Sequence, residues 1–387
     1  MIKMKYQELR EYVLKSEKFE ECEHRKRAPL VHEGFPGTFN LSFTEYDCLK
    51  EFNGFSNFHK DLVFSTIQSC VRPQDIDENI RKGNGLWKYL GVFEMADIGG
   101  QIILSNKNRT NELHKYQITK LIEILVSLGI DLKRVYPSYC MGGNVSDLTN
   151  GKYSFDFVVP EDTLSRDTFV KLGIPEKNLI PDKTRDTLLS LHVNQKTPWG
   201  YRCEINYNIG SDENPQLLDI ATVERCLWFP KYSGEEVSKN IIGLEPMAHT
   251  VSVGGIGLER LYVAVNGIKE VKEVDYIKEF YNILKEQLPQ LNETQLFKVG
   301  EVIRALHRIY SDLKEHNLTL SIRRKEKKRK FLQIIHENAG AFLNEKILDI
   351  VLRKNAEVQP WHNNLSDGIE STKKAICQYL QNFEPSI

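Results

Sequence analysis

Two hydrophobic textures divide the chain near residue 265. Before it, short β-branched and aromatic runs alternate with Gly, Pro and Asn turns. After it, apolar residues recur every three or four positions. The clearest strand covers 202–209. Cys203, Ile205, Tyr207 and Ile209 point one way, and Arg202, Glu204, Asn206 and Asn208 point the other. Residues 62–71, 153–159, 217–223 and 250–253 are further predicted strands. A helix is predicted from His114, with Gly129 as its C-terminal stop. Beyond 265 the spacing predicts helices over 275–288, 296–313 and 331–353. Strands followed by helices predict an α+β fold, with a catalytic domain over 1–265 and a helical domain over 266–387.

Composition narrows the function classes. The chain has 387 residues, 41% hydrophobic and 27% charged, enough for one large domain and a smaller one. Its formal net charge of −1 gives no global attraction to nucleic acid. Such contact would need a local patch such as Arg323–Lys330, for which a solvated helix face is the plainer reading. The charged N-terminus lacks a signal core, and no apolar run approaches the roughly 20 residues that cross a bilayer. A cytoplasmic protein with no membrane partner is therefore expected. The seven cysteines are scattered without a CxxC pair, so neither a disulfide framework nor a zinc site has support.

Three strings could carry chemistry. The first runs from Gly254 to Leu261, where a strand meets a helix. Its glycines, Gly255 and Gly257 among them, would let the backbone turn and approach a ligand, and Arg260 could grip a phosphate. A packed turn with a surface arginine fits the same string. The second runs from Thr66 to Met95. Arg72 at a strand end, a polar loop to Lys88, then Phe93 beside Glu94 would suit a nucleotide, although a plain charged hairpin reads the same way. The third is the carboxylate pair Glu204 and Asp219 on neighbouring predicted strands, suited to Mg²⁺. A surface glutamate and a salt-bridged aspartate would explain it as well.

In this order the strings resemble the catalytic core of class II aminoacyl-tRNA synthetases, the alanine-specific branch in particular. Gln68–Arg72 is similar to that family's QxCVR, and Phe93–Met95 to its FFEM. Leu172–Ile180 resembles a GIPxERI segment, Glu204–Gly210 its EIFYDHG, and Gly255–Arg260 its GxGLER. The resemblance implies a six-stranded antiparallel sheet flanked by helices, and a reaction in which a carboxylate attacks the α-phosphorus of ATP to give an acyl-adenylate. It also implies roles: Arg72 and Arg260 as the catalytic arginines on the α- and γ-phosphates, and Phe93 against adenine. Lys88, Glu94, Gly255 and Gly257 would help hold ATP, while Glu204 and Asp219 would face Mg²⁺. A homodimer is implied too, with 38–58 at its interface.

The departures fall on the acid pocket. Val253 stands where the family has the aspartate that pairs with the substrate ammonium, and Thr222 replaces a pocket asparagine. The pocket tryptophan region falls at Leu191 and His192, and Glu224 or Asp156 is a candidate substitute ammonium partner. The stretch 266–387 lacks the His/Cys ligands of the family's editing domain, which implies a stand-alone core. The expected function is ATP-dependent activation of an amino acid or related carboxylic acid, with transfer to a carrier-protein thiol or small amine. A compact amino acid–tRNA ligase and a non-catalytic regulatory paralogue are the alternatives.

Overall fold

Six antiparallel strands form the centre of the structure. A computed structural model describes residues 3–17, 23–24, 29–31, 62–72, 88–103, 107–190, 198–233 and 241–382. In chain order the strands are β1 (Glu23–His24), β2 (Leu62–Val71), β3 (Val92–Ile103), β4 (Val135–Cys140), β5 (Gly143–Asn144) and β6 (Val158–Val159), then β7 (Ile180–Asp182), β8 (Leu188–Ser190), β9 (Trp199–Asn208), β10 (Leu217–Tyr232) and β11 (Ile241–Gly257). The main sheet runs β1-β2-β3-β11-β10-β9-β4-β7, and β8 pairs with β9. All neighbours from β2 to β4 are antiparallel, while β1 and β7 add parallel edges.

The helices are α1 (Tyr6–Glu17), α2 (Lys107–Ser127), α3 (Thr163–Lys171), α4 (Leu258–Asn266), α5 (Asp275–Gln287), α6 (Glu293–Glu315), α7 (Ile322–Ala339), α8 (Glu345–Glu357) and α9 (Leu365–Gln381). The fold is α+β, with the helical run after residue 265 that the spacing predicts. A continuous apolar core joins Ile67 and Ala96 of the sheet, Ile118 and Leu121 of α2, and Phe297 and Val302 of α6. Each such side chain contributes about 1.5–3 kcal/mol when fully buried. None of the helices is long and apolar enough to cross a membrane among the described residues.

Two predicted elements differ. Only Val158–Val159 of 153–159 is a strand, paired with β5. Tyr153, Phe155 and Phe157 do share a face, but they pack against Trp199 and Trp228 and form no ladder. Helix 331–353 is two helices, because Gly340 follows α7 and the Asn344 side chain accepts from Ile347 N to start α8. Gly129 ends α2 as predicted, with φ of 84°.

Buried polar groups fasten the helices to the sheet. At the start of β3, Glu301 of α6 accepts from the Gly91 and Val92 amides, and Arg304 donates to the Val92 carbonyl. Two residues on, Glu94 takes Arg10 Nε at 3.1 Å and Tyr6 O–H at 3.1 Å, both from α1. His362 Nε2 lies 3.3 Å from Glu94 and 3.2 Å from Ser69 Oγ. Glu259 of α4 accepts from the Glu94 amide and from Tyr6 and Tyr276 hydroxyls. Burial alone would raise Glu94, but Arg10 above all holds it down at about 2. Burial and the nearby Glu94 push Glu259 up to about 7.

Arg10→Ala should therefore cost about 3 kcal/mol of stability at neutral pH by leaving Glu94 buried without its guanidinium. Glu94 titrates lower folded than unfolded, so its contribution is complete above 4.5 and disappears as pH falls toward about 2. Urea unfolding at pH 7 and pH 2.5 should show a large difference between wild type and variant that closes at the lower pH. A pH-independent difference would refute the ion pair as its source.

Candidate functional site

Side chains on the sheet face opposite α2 converge through strand register. Thr222 of β10 sits beside Glu204 of β9 and Gly255 of β11, and Gly255 sits beside Asp97 of β3. Glu224 sits beside Arg202 and Val253 in the next such row. Asp219 and Thr222 are an odd number of positions apart, so a regular strand would send them to opposite faces. A register shift between Asp219 and Ala221 reverses the alternation and returns Asp219 to the Glu204 side.

A cavity of about 440 Å³ lies over this face, lined by Arg72, Met95, Glu204, Asp219, Thr222, Gly257 and Arg260, together with Arg202 and Glu224. A narrow slot adjoins it, lined by Tyr89, Leu90, Phe93, Gly257, Glu259, Arg260 and Val271. Gly257 and Arg260 line both. Arg72 and Arg260 hold their guanidinium groups 5.1 and 5.9 Å from the Phe93 ring centroid. Arg260 also lies 5.3 Å from the Tyr89 ring. Arg260 donates to the Asp219 carboxylate at 2.7 Å and to its carbonyl at 2.9 Å. Arg72 makes no ion pair among the described residues.

Glu204 and Asp219 stand close together on this face. Burial and the Asp219 carboxylate push Glu204 up to about 8. Two hard oxygen donors side by side fit a divalent cation, once Asp219 is released from Arg260. Among the described residues no set of three or more His, Cys, Asp or Glu gathers for a metal. The protein would thus supply these two carboxylates, and phosphate or water the remaining ligands, as suits Mg²⁺.

Other sequence-predicted residues fall differently. Glu94 points to the opposite face from Phe93, lines neither cavity and is occupied by Arg10, Tyr6 and His362. Lys88 precedes β3 with its ammonium 5.7 Å from the Tyr89 ring and lines neither cavity. The glycine string makes no turn: it stays extended in β11 to Gly257, without positive φ. A Cβ at Gly255 would lie 2.9 Å from Met95 Cε and 3.3 Å from Thr222 Cγ2, so a side chain there would displace the flexible end of Met95. Val253 packs against the apolar group of Cys226, Met247 and Val251. Asp156 is exposed and outside the cavity. Leu191, His192 and 38–58 lie outside the described residues.

The structure adds groups that sequence reasoning passed over. The buried Asp97 has Oδ1 3.3 Å from the position of a Gly255 Cβ, beside Thr222. The Thr222 hydroxyl is buried with no hydrogen-bond partner among the described residues, and its residue lines the cavity. Arg202 donates to Glu224 at 2.8 Å within the same lining. For Asp97 the available signal was its parity with Phe93, two strand steps of two away.

The raised Glu204 predicts a pH-dependent effect. The folded state holds an extra proton between 4.5 and about 8, so stability falls as pH rises through that window. Glu204→Gln should melt higher than wild type at pH 8.5, with the gain vanishing near pH 4.5. Mg²⁺ should raise the melting temperature of wild type at pH 8.5 and leave the variant unmoved. A variant that melts no higher at pH 8.5 would refute the coupling.

No family model matches the chain, and no curated protein matches it. Solved structures similar to it include aminoacyl-tRNA synthetases. Apo histidyl-tRNA synthetase of S. aureus is 12% identical with a TM-score of 0.40, over 73% of this chain and 79% of that one. Asparaginyl-tRNA synthetase of Entamoeba histolytica in complex with asparaginyl-adenylate is 11% identical with a TM-score of 0.32, over 70% of this chain and 64% of that one. The same enzyme in a second structure is 12% identical with a TM-score of 0.33, over the same shares. Likeness at this level carries no argument about substrate or acceptor.

Proposed function

We propose that this protein activates an amino acid or related carboxylic acid with ATP, as an alanyl-tRNA synthetase-like core, and passes the acyl group to an acceptor other than tRNA. The observation that carries the reading is the convergence of Arg72, Arg260, Glu204, Asp219 and Thr222 on one cavity whose neighbouring slot holds Phe93. Two guanidinium groups suit the phosphates, and the Phe93 ring suits an adenine face. Arg260 now bonds Asp219, so a triphosphate that takes Arg260 releases Asp219. Glu204 and Asp219 would then hold Mg²⁺, which supplies neutralising charge to the triphosphate. The acid's carboxylate oxygen attacks the α-phosphorus in line. The bond to the bridging β-phosphate oxygen breaks, and pyrophosphate leaves. Arg72 steadies the charge on the α-phosphate and aligns the carboxylate. The Thr222 hydroxyl, which has no hydrogen-bond partner among the described residues, offers a polar anchor for the acid.

A tRNA ligase is the second reading, favoured by the exposed Arg323, Lys325, Arg329 and Lys330 of α7. Exchange of labelled pyrophosphate into ATP across a panel of amino and related acids tests activation itself, and transfer to bulk tRNA tests this alternative. At least one acid should support exchange. Arg260→Ala should lower its turnover by about 10²–10³, the usual loss on removing a preorganised charge donor. Absence of exchange across the panel, or an unimpaired Arg260→Ala variant, would overturn the reading.

A further inference from the structure

A second cavity, of about 500 Å³, adjoins the first, and Arg202 lines both. Its wall includes Lys152, Arg185, Arg202, Tyr153, Trp199 and Thr149, and Asp186 is its one carboxylate. The aromatic part is rigid: Tyr153 packs edge-on against the buried Trp199, with centroids 5.0 Å apart. The Lys152 ammonium lies 5.3 Å from the Tyr153 ring. Neither Lys152 nor Arg185 forms an ion pair among the described residues. Arg202, by contrast, is committed to Glu224 at 2.8 Å. A lysine and an arginine without carboxylate partners, above an aromatic floor, have the chemistry that captures a phosphate.

We propose that this second cavity binds the acceptor, and that the acceptor carries a phosphate group. The position next to Arg202 would let an acceptor anchored at Lys152 and Arg185 extend toward the activated acid. This rests on the acyl-adenylate reading. In the transfer step the acceptor's nitrogen or sulfur attacks the acyl carbon. The bond from that carbon to the AMP oxygen breaks, AMP leaves with the electron pair, and the nucleophile's proton goes to solvent. A small phosphorylated amine and the phosphorylated arm of a carrier protein share this chemistry.

The test pairs phosphorylated probes with their unphosphorylated forms: phosphoethanolamine against ethanolamine, and pantetheine 4′-phosphate against pantetheine. Binding to the full chain is read by calorimetry. The phosphorylated member of at least one pair should bind about tenfold or more tightly, the gain expected of a charge-assisted contact. The pair that shows it distinguishes amine from prosthetic arm. K152Q and R185Q, singly and together, should remove the preference while ATP affinity and melting temperature stay unchanged. Equal binding within both pairs, a preference insensitive to both variants, or a variant-sensitive response to bulk tRNA alone would overturn the proposal. A phosphate preference without pyrophosphate exchange would uphold the cavity and sink the activation reading; exchange without the preference would do the reverse.

Discussion

Two carboxylates buried side by side set the terms for the rest of this molecule. Glu94 and Glu259 are 3% and 1% exposed, and burying such charge is costly unless each oxygen is met. Glu94 is met by Arg10, Tyr6 and His362. Glu259 is met by Tyr6, Tyr276 and the Glu94 amide. Those partners come from α1, α5 and the segment before α9, so satisfying two acids draws distant parts of the chain together around the start of β3. The junction is unequal: Arg10 keeps Glu94 ionised, while Glu259 is pushed up to about 7 and held by neutral donors.

The same junction positions the cavity by adjacency. Phe93 precedes Glu94 and Arg260 follows Glu259. In each pair the buried acid is the anchor, and its neighbour lines the slot between Tyr89 and Val271. Arg260 thereby lies over Tyr89 and Phe93 without a long flexible search, which is the geometric preorganisation that charge stabilisation needs. Glu301 and Arg304 of α6 fix the start of β3 in the same manner. The helices after residue 265 thus contribute to the site by holding its strands.

A different balance governs the other half of the cavity. There the carboxylates Glu204 and Asp219 are half-buried beside each other, so burial and the Asp219 charge push Glu204 up toward protonation. Arg260 holds Asp219 at 2.7 Å and Arg202 lies 3.8 Å from Glu204, so their guanidinium groups sit in the cavity wall beside the acids. Apolar packing takes over beyond Glu224, where Val253 joins Cys226, Met247 and Val251. The surface is therefore graded from charged to apolar along a single sheet face.

Much of this was legible along the chain. The alternation at 202–209 gave the burial of Cys203, Ile205 and Tyr207 and left Arg202 and Glu204 on the working face, because period two in a strand admits one inward set. The spacing after 265 gave α5 and α6 nearly to their ends. Arg72, Phe93 and Arg260 were legible as a group, and they meet across two adjoining cavities. Pairing partners were not legible. Glu94 read as a nucleotide contact because alternation does not say which face the ligand takes. The aromatic run at 153–159 read as a strand because packing against Trp199 needs the same spacing as a ladder. Sequence by itself determined which residue types and periods were available. Tertiary structure alone decided that Asp219 stands beside Glu204, because one extra residue in β10 reverses strand parity and only the paired neighbour reveals it.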